Sequence, residues 1–208
     1  MPHGRGTRRR RVPLLLIALA LGAGLHPPPI AAPRPKAARA APAPPAVLDA
    51  MREEAGGDLQ RFYAERGFRP MWVRQGGVGP QAATLIAYLE SARLDGLKPS
   101  SYDVDSLRAS VARARSGDPQ ALAHAELALS DAFARYVRDQ RRPGKAKMTY
   151  ADKALKSTRP DTLTVLRAAA FPKSFNAYVQ DMGWMSEHYV RLRRLVGHAE
   201  KQGASKAE

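Results

Sequence analysis

Cysteine is missing from all 208 residues. That absence excludes disulfide cross-links, a thiol nucleophile, a thiolate metal centre and a lipid-modified cysteine. The fold must therefore rest on burial and hydrogen bonding alone, and about 160 ordered residues are enough for one sizeable core. Acidic residues are missing from residues 1–40, which hold eight basic ones. Long apolar runs are scarce: Val12–Leu25 has fourteen residues, short of the roughly 20 that cross a bilayer as a helix. Sustained apolar–polar alternation, the mark of a half-buried strand, does not occur.

Familiar catalytic spacings are absent as well. No Ser precedes a Lys by three residues, and G-x-S-x-G, the P-loop and G-x-G-x-x-G do not appear. His124 and Glu126 form H-x-E, but zinc deaminases add P-C-x-x-C, which a chain without cysteine cannot supply. Glu187 and His188 adjoin at a helix start, where neighbouring side chains diverge, so a capping or surface role fits Glu187 better than metal binding. Asp103 and Asp105 read as turn and cap residues. No residue is assigned as catalytic, cofactor-binding or metal-ligating, and no cofactor is expected.

What is present begins with Arg8-Arg9-Arg10-Arg11 running straight into the apolar stretch. A basic segment, a short apolar segment and small residues behind it make a secretory signal. Ala38-Arg39-Ala40 offers a cleavage site, so the mature chain is expected to start at Ala41; an uncleaved signal anchor is the alternative. The expected division is signal and cleavage region over 1–40, a Pro/Ala-rich linker over 41–45, a helical domain over 46–200 and a flexible tail over 201–208. Without residues 1–40 the chain keeps 26 basic and 19 acidic residues, near +7. Such an excess suits anionic envelope polymers or lipid head groups and falls short of a nucleic-acid footprint. No nucleic-acid partner and no transmembrane helix in the mature chain are expected.

Beyond the linker, apolar residues recur three or four apart, which predicts an all-α fold in one multi-helix domain. The expected helices are Ala46 to Arg66 with a split at Gly56-Gly57, Gln81 to Leu94, Asp103 or Asp105 to Arg115, Leu122 to Arg138, Asp161 to Ala170, Ser174 to Met182 and Ser186 to Lys201. Gly67 is placed for a left-handed helix end, Pro70 pushes Arg69 out of helical geometry, and Asp118-Pro119 opens the fourth helix. Phe62, Tyr63, Phe68, Trp72, Phe133 and Tyr136 are expected to pack together. A sugar-stacking groove is the other use for rings such as Trp72 and Trp184.

Two basic clusters are candidates for an anionic-ligand or partner surface. The first is Arg135, Arg138, Arg141, Arg142, Lys145 and Lys147, around a helix end where cations also offset the macrodipole. The second is Arg191, Arg194, His198 and Lys201, within about an 80° arc of the last helix. That arc is expected to lie opposite an inward face of Leu192, Leu195, Val196 and Ala199. A solvated polar face is the simpler account of both clusters.

Three segments in order resemble a known family: FYAERGFRPMW (Phe62–Trp72), LIAYLESARLDGLKPSSYD (Leu85–Asp103) and LAHAELALSDAFARYVRDQRRPGK (Leu122–Lys145). They are similar to the scaffold domain of the multi-domain murein L,D-transpeptidases of Gram-negative bacteria. The tail FPKSFNAYVQDMGWMSEHYVRLRRLVGH (Phe171–His198) is similar to that domain's end, although Trp184-Met185-Ser186-Glu187 replaces an expected "P.H" pattern. The resemblance covers residues 55 to 200. The full enzymes continue into peptidoglycan-binding and catalytic domains, the latter with a reactive Cys. These 208 residues hold no Cys, so the resemblance implies a non-catalytic periplasmic module associated with peptidoglycan or with a separate cell-wall enzyme. Two other readings stay open: a structural envelope protein without a wall ligand, and an enzyme using carboxylates such as Glu126 and Asp131.

Overall fold

The computed structural model of the chain describes residues 43–75, 77–143, 149, 151–152 and 158–205. The expected signal and cleavage site, with Lys145 and Lys147, lie outside the described residues. Helix α1 (Pro45–Glu54) opens on a proline and buries Val47, Ala50 and Met51, one stripe at helical spacing. Ala55 and Gly56 are extended, so the split at the glycine pair is real, and α2 (Gly57–Glu65) follows. Its end is a Schellman-type turn: Phe68 N donates to Tyr63 O at 2.7 Å and Gly67 N to Ala64 O at 3.0 Å. Gly67 (φ 62°) and Phe68 (φ 56°) are both left-handed, and this reversal sends residues 69–73 back across the domain.

A two-stranded antiparallel hairpin comes next, β1 (Val73–Arg74) and β2 (Gly77–Val78), with Val73 opposite Val78. Helix α3 (Gln81–Glu90) stops four residues before the expected end and tightens into a 3-10 turn over Ala92–Asp95, closed by left-handed Gly96. A second 3-10 turn (Pro99–Tyr102) leads to α4 (Val104–Arg113). Asp103 holds the cap position of α4, but its side chain makes no capping bond because the residue is left-handed. Then comes α5 (Pro119–Gln140), capped by Asp118 accepting from Ala121 N. Helices α6 (Thr162–Ala170) and α7 (Phe175–Gln180) are capped by Asp161 and Ser174. Last is α8 (Glu187–Ser205), which runs through the start of the expected flexible tail.

The fold is all-α, as its periodicity predicts, with the hairpin as its one sheet among the described residues. These residues belong to one compact unit, Arg39–Glu208. Helix α5 is its axis: twelve of its 22 residues are buried, and α1, α2, α3, α4 and α6 all pack against it. A helix apolar on most sides belongs inside a bundle. No described helix is long and apolar enough to cross a membrane.

Trp72 is fully buried and meets Phe175 and Phe133 edge-on, at centroid distances of 4.8 and 5.9 Å. Trp184 is buried too, 5.2 Å from Phe133. The sugar-stacking groove is therefore ruled out for both indoles. Of the expected aromatic group, Phe68 is half-buried at the margin, packed against the core beneath the Arg52 guanidinium. Replacing Trp72 with Ala is expected to cost about 3–5 kcal/mol, read as a lowered midpoint in thermal or urea denaturation. An unchanged midpoint would show that the indole is not part of the core.

Candidate functional site

Helix α5 carries a carboxylate, Glu126, into the centre of the domain, where it is fully buried. After the α2 reversal the chain bends at Met71 and Trp72, and three successive peptide N–H groups point at that carboxylate. Met71 N donates to Oε1 at 2.6 Å, while Trp72 N and Val73 N donate to Oε2 at 2.9 and 2.8 Å. The Tyr63 hydroxyl donates to Oε1 at 2.5 Å. One turn further along α5, Ser130 Oγ bonds the same hydroxyl at 2.6 Å and accepts from Trp72 Nε1 at 2.9 Å. The Gln81 amide closes the other side, donating to Met71 O at 3.1 Å.

Burial pushes the Glu126 carboxyl up from its usual range, and the three N–H groups and the phenol pull it back only in part. Burial and the neighbouring carboxylate hold the Tyr63 phenol well above its ordinary value, so Tyr63 stays a donor. Each carboxylate oxygen already accepts two hydrogen bonds, and no solvent reaches either. Glu126 cannot take a proton from a substrate here; it anchors the 71–73 backbone to α5. Asp131, the other carboxylate considered, is a half-exposed surface residue paired with Arg135 one turn on. Carboxylate chemistry on Glu126 is thereby excluded.

A second buried carboxylate sits in the 3-10 turn after α3. The Asp95 side chain is wholly covered and accepts from Tyr136 Oη at 2.6 Å, Tyr189 Oη at 2.7 Å and Arg193 Nε at 2.8 Å. Arg193 Nη2 reaches back to Ser91 Oγ at 2.8 Å, and its guanidinium lies over the Tyr88 ring. Burial and the Asp95 charge raise the Tyr136 phenol well above its usual range. Turn, axis helix and last helix thus meet at one ion pair. Gly197, one turn beyond Arg193, lies against Leu94: a Cβ there would stand 3.3 Å from the Leu94 Cδ1.

This second node overturns the expected orientation of α8. Leu192, Leu195 and Val196 were to face inward, yet they are 62 %, 64 % and 46 % exposed, and Ala199 is exposed as well. The residues turned to the body are Tyr189, Val190, Arg193 and Gly197. The roll of the helix is set by Arg193, the charge that buried Asp95 requires.

The candidate surface cations divide into paired and unpaired ones. Arg138 is half-buried, donating through Nε to Pro160 O and through Nη1 to Thr162 Oγ1, so it ties α5 to the entrance of α6. Arg142 pairs with Asp139 at 3.2 Å, beside Arg159 on the same carboxylate. Arg191 pairs with Glu187 at 2.5 Å, which gives Glu187 the surface role expected of it. Arg141, Arg194 and Lys201 are exposed and form no ion pair among the described residues. His124 bonds Glu54 of α1 at 2.6 Å. Among the described residues no group of three or more His, Asp or Glu could hold a metal ion. A groove of about 840 Å³ between the hairpin, α3 and α4 is lined by Ala82, Ile86, Val111 and Arg115 among others.

Sequence reading missed Asp95, Arg193 and Ser130. A signal existed for two of them: Tyr189 and Arg193 are one turn apart, and Glu126 and Ser130 likewise. Glu126→Gln would turn an amide N–H₂ toward peptide donors, so it is expected to cost at least about 3 kcal/mol in chemical denaturation. Arg193→Ala leaves Asp95 buried beside its two phenols alone. It is expected to cost about 3–5 kcal/mol and to make α8 the first segment cut in limited proteolysis.

The residues of both nodes, from Tyr63 to Arg193, lie inside the span of a known family. The model of the Scaffold domain matches residues 57–195, about two thirds of the chain, consistent with the scaffold domain of L,D-transpeptidases that the segments resemble. No curated protein and no solved structure matches it. The Scaffold domain is a non-catalytic module, in keeping with carboxylates spent on holding segments together. This chain belongs to the Scaffold domain family.

Proposed function

We propose that this scaffold module is exported to the periplasm and works there against peptidoglycan or an enzyme that remodels it. One observation carries the reading: the buried polar groups serve the fold, and the surface cations with no ion pair among the described residues are available for an external anion. Glu126 and Asp95 are saturated internally, while Arg141, Arg194 and Lys201 remain exposed. The arginine-led apolar segment at the N-terminus supports export. The positive excess beyond residue 40 supports an anionic surface as the target.

Two measurements test the two halves of the proposal. Mass spectrometry of the chain recovered from the producing cell's envelope is expected to show a start at Ala41; an intact Met1 start would show that no signal is removed. Sedimentation of that form with purified sacculi is expected to show binding at low salt that weakens at physiological salt. Charge reversal at Arg141, Arg194 and Lys201 is expected to abolish it. Absence of sedimentation at either salt would leave a scaffold with no wall contact.

A further inference from the structure

Helix α2 ends on a cation that the fold does not neutralise. Arg66 is half-buried. Its Nε donates to Arg69 O at 2.7 Å, and Arg69 Nε returns the bond to Arg66 O at 2.9 Å. The guanidinium stands 5.2 Å from the centre of the Phe62 ring. Neither arginine forms an ion pair among the described residues, and the two Nη groups of Arg66 make no hydrogen bond there. Arg138 and Arg193, which are half-buried as well, spend theirs on Thr162 and on Ser91, with Asp95 paired to Arg193. Burial lowers the Arg66 guanidinium from its ordinary value; Tyr63 and Glu126 oppose this only in part, and the Arg69 charge reinforces it. A cation stripped of water without a partner favours an anion from outside.

Arg66 lines a cavity of about 270 Å³ together with Phe62, Glu65, Arg167, Ala170 and Phe171. Arg167 and Glu65 neutralise each other through two hydrogen bonds, one of them from Nε at 2.9 Å. That leaves one net positive charge, on Arg66, which a carboxylate matches. A phosphate dianion would leave an excess of negative charge beside Glu65. The free Nη pair has the fork geometry that takes both oxygens of a carboxylate. The other walls are apolar, and Phe171 is 93 % exposed, an aromatic ring kept in water beside an unneutralised cation. The volume is below the roughly 300 Å³ at which clefts begin to take drug-sized ligands, so it suits one small group. We infer that Arg66, with the rings of Phe62 and Phe171, forms a subsite for a carboxylate carried on a small body with an apolar face, as at the end of a peptide or on a carboxylated sugar ring. The subsite is separate from the wall contact proposed above, which uses other cations.

The test titrates the isotope-labelled full chain, read by amide chemical shifts, with two carboxylates and their neutral counterparts. The pairs are N-acetylalanine against its amide and N-acetylmuramic acid against N-acetylglucosamine. Saturable shifts at Arg66, Ala170 and Phe171 are expected from at least one carboxylate, with its neutral counterpart at least about tenfold weaker. A response to N-acetylalanine alone assigns a peptide terminus, one to N-acetylmuramic acid alone a sugar, and one to both the carboxylate itself; each supports the subsite. Phe171→Asp, at an exposed position, is expected to keep the parent melting temperature and to weaken the carboxylate at least about tenfold by like-charge repulsion. Arg66→Gln is expected to weaken it as much, and Phe171→Asp carries the test alone if Arg66→Gln lowers the melting temperature. Four results overturn the subsite: neutral counterparts that bind as tightly as the carboxylates, parent-like binding by Phe171→Asp, inorganic phosphate bound more tightly than either carboxylate, or no saturable shift with any probe. Charge reversal at Arg141, Arg194 and Lys201 is expected to leave the titration unchanged, so loss of sacculus binding and loss of this subsite are read separately.

Discussion

The domain depends on one carboxylate accepting three consecutive peptide N–H groups. Backbone groups buried without partners cost about as much as a lost hydrogen bond each, and the 71–73 segment is too short and irregular to pair with itself. Glu126 supplies the acceptors from α5, and Tyr63 supplies a fourth donor from α2. The same segment places Trp72 between Phe133 and Phe175. A bent, irregular segment in a helical protein is thus held by a side chain where a sheet would have used a neighbouring strand. The peptide donors tie the segment to Glu126 of α5, and the Trp72 ring packs edge-on against Phe133 of the same helix and Phe175 of α7.

The second node shows how close the competition between charge and burial is. Turning α8 so that Leu192, Leu195 and Val196 faced the core would recover at most about 1.5–3 kcal/mol for each side chain. It would also strip Asp95 of Tyr189 and Arg193, and breaking a buried pair costs about 3–5 kcal/mol. Val190 would be uncovered and the close passage of Gly197 past Leu94 lost. The observed roll satisfies the charge and leaves the aliphatic stripe outside.

That near balance explains what the sequence could and could not disclose. Helices were legible because apolar spacing and punctuation agree: Asp118-Pro119 opens α5, the Gly56-Gly57 pair separates α1 from α2, and Gly67 ends α2 where a left-handed residue belongs. The inward face of α8 was not legible, because periodicity sees two candidate faces and cannot weigh an ion pair made with a residue almost a hundred positions away. Glu126 was visible as an oddity, an acid inside an apolar helix, but its three partners lie more than fifty residues upstream. The surface cations were legible as a set. Which were already spent on Asp139, Glu187 or the entrance of α6 depended on tertiary contacts.

Helix α5 also acts as a ruler. It presents Glu126 to the first node and Tyr136 to the second, ten residues apart, a separation of about 15 Å along the axis. One residue inserted between them would leave the composition of the helix almost unchanged. It would advance Tyr136 by about 1.5 Å and swing it by about 100°, away from Asp95. The domain is therefore far less tolerant of changes in the length of this segment than of changes in its chemistry, and the two halves of the fold stay in phase only while that spacing is kept.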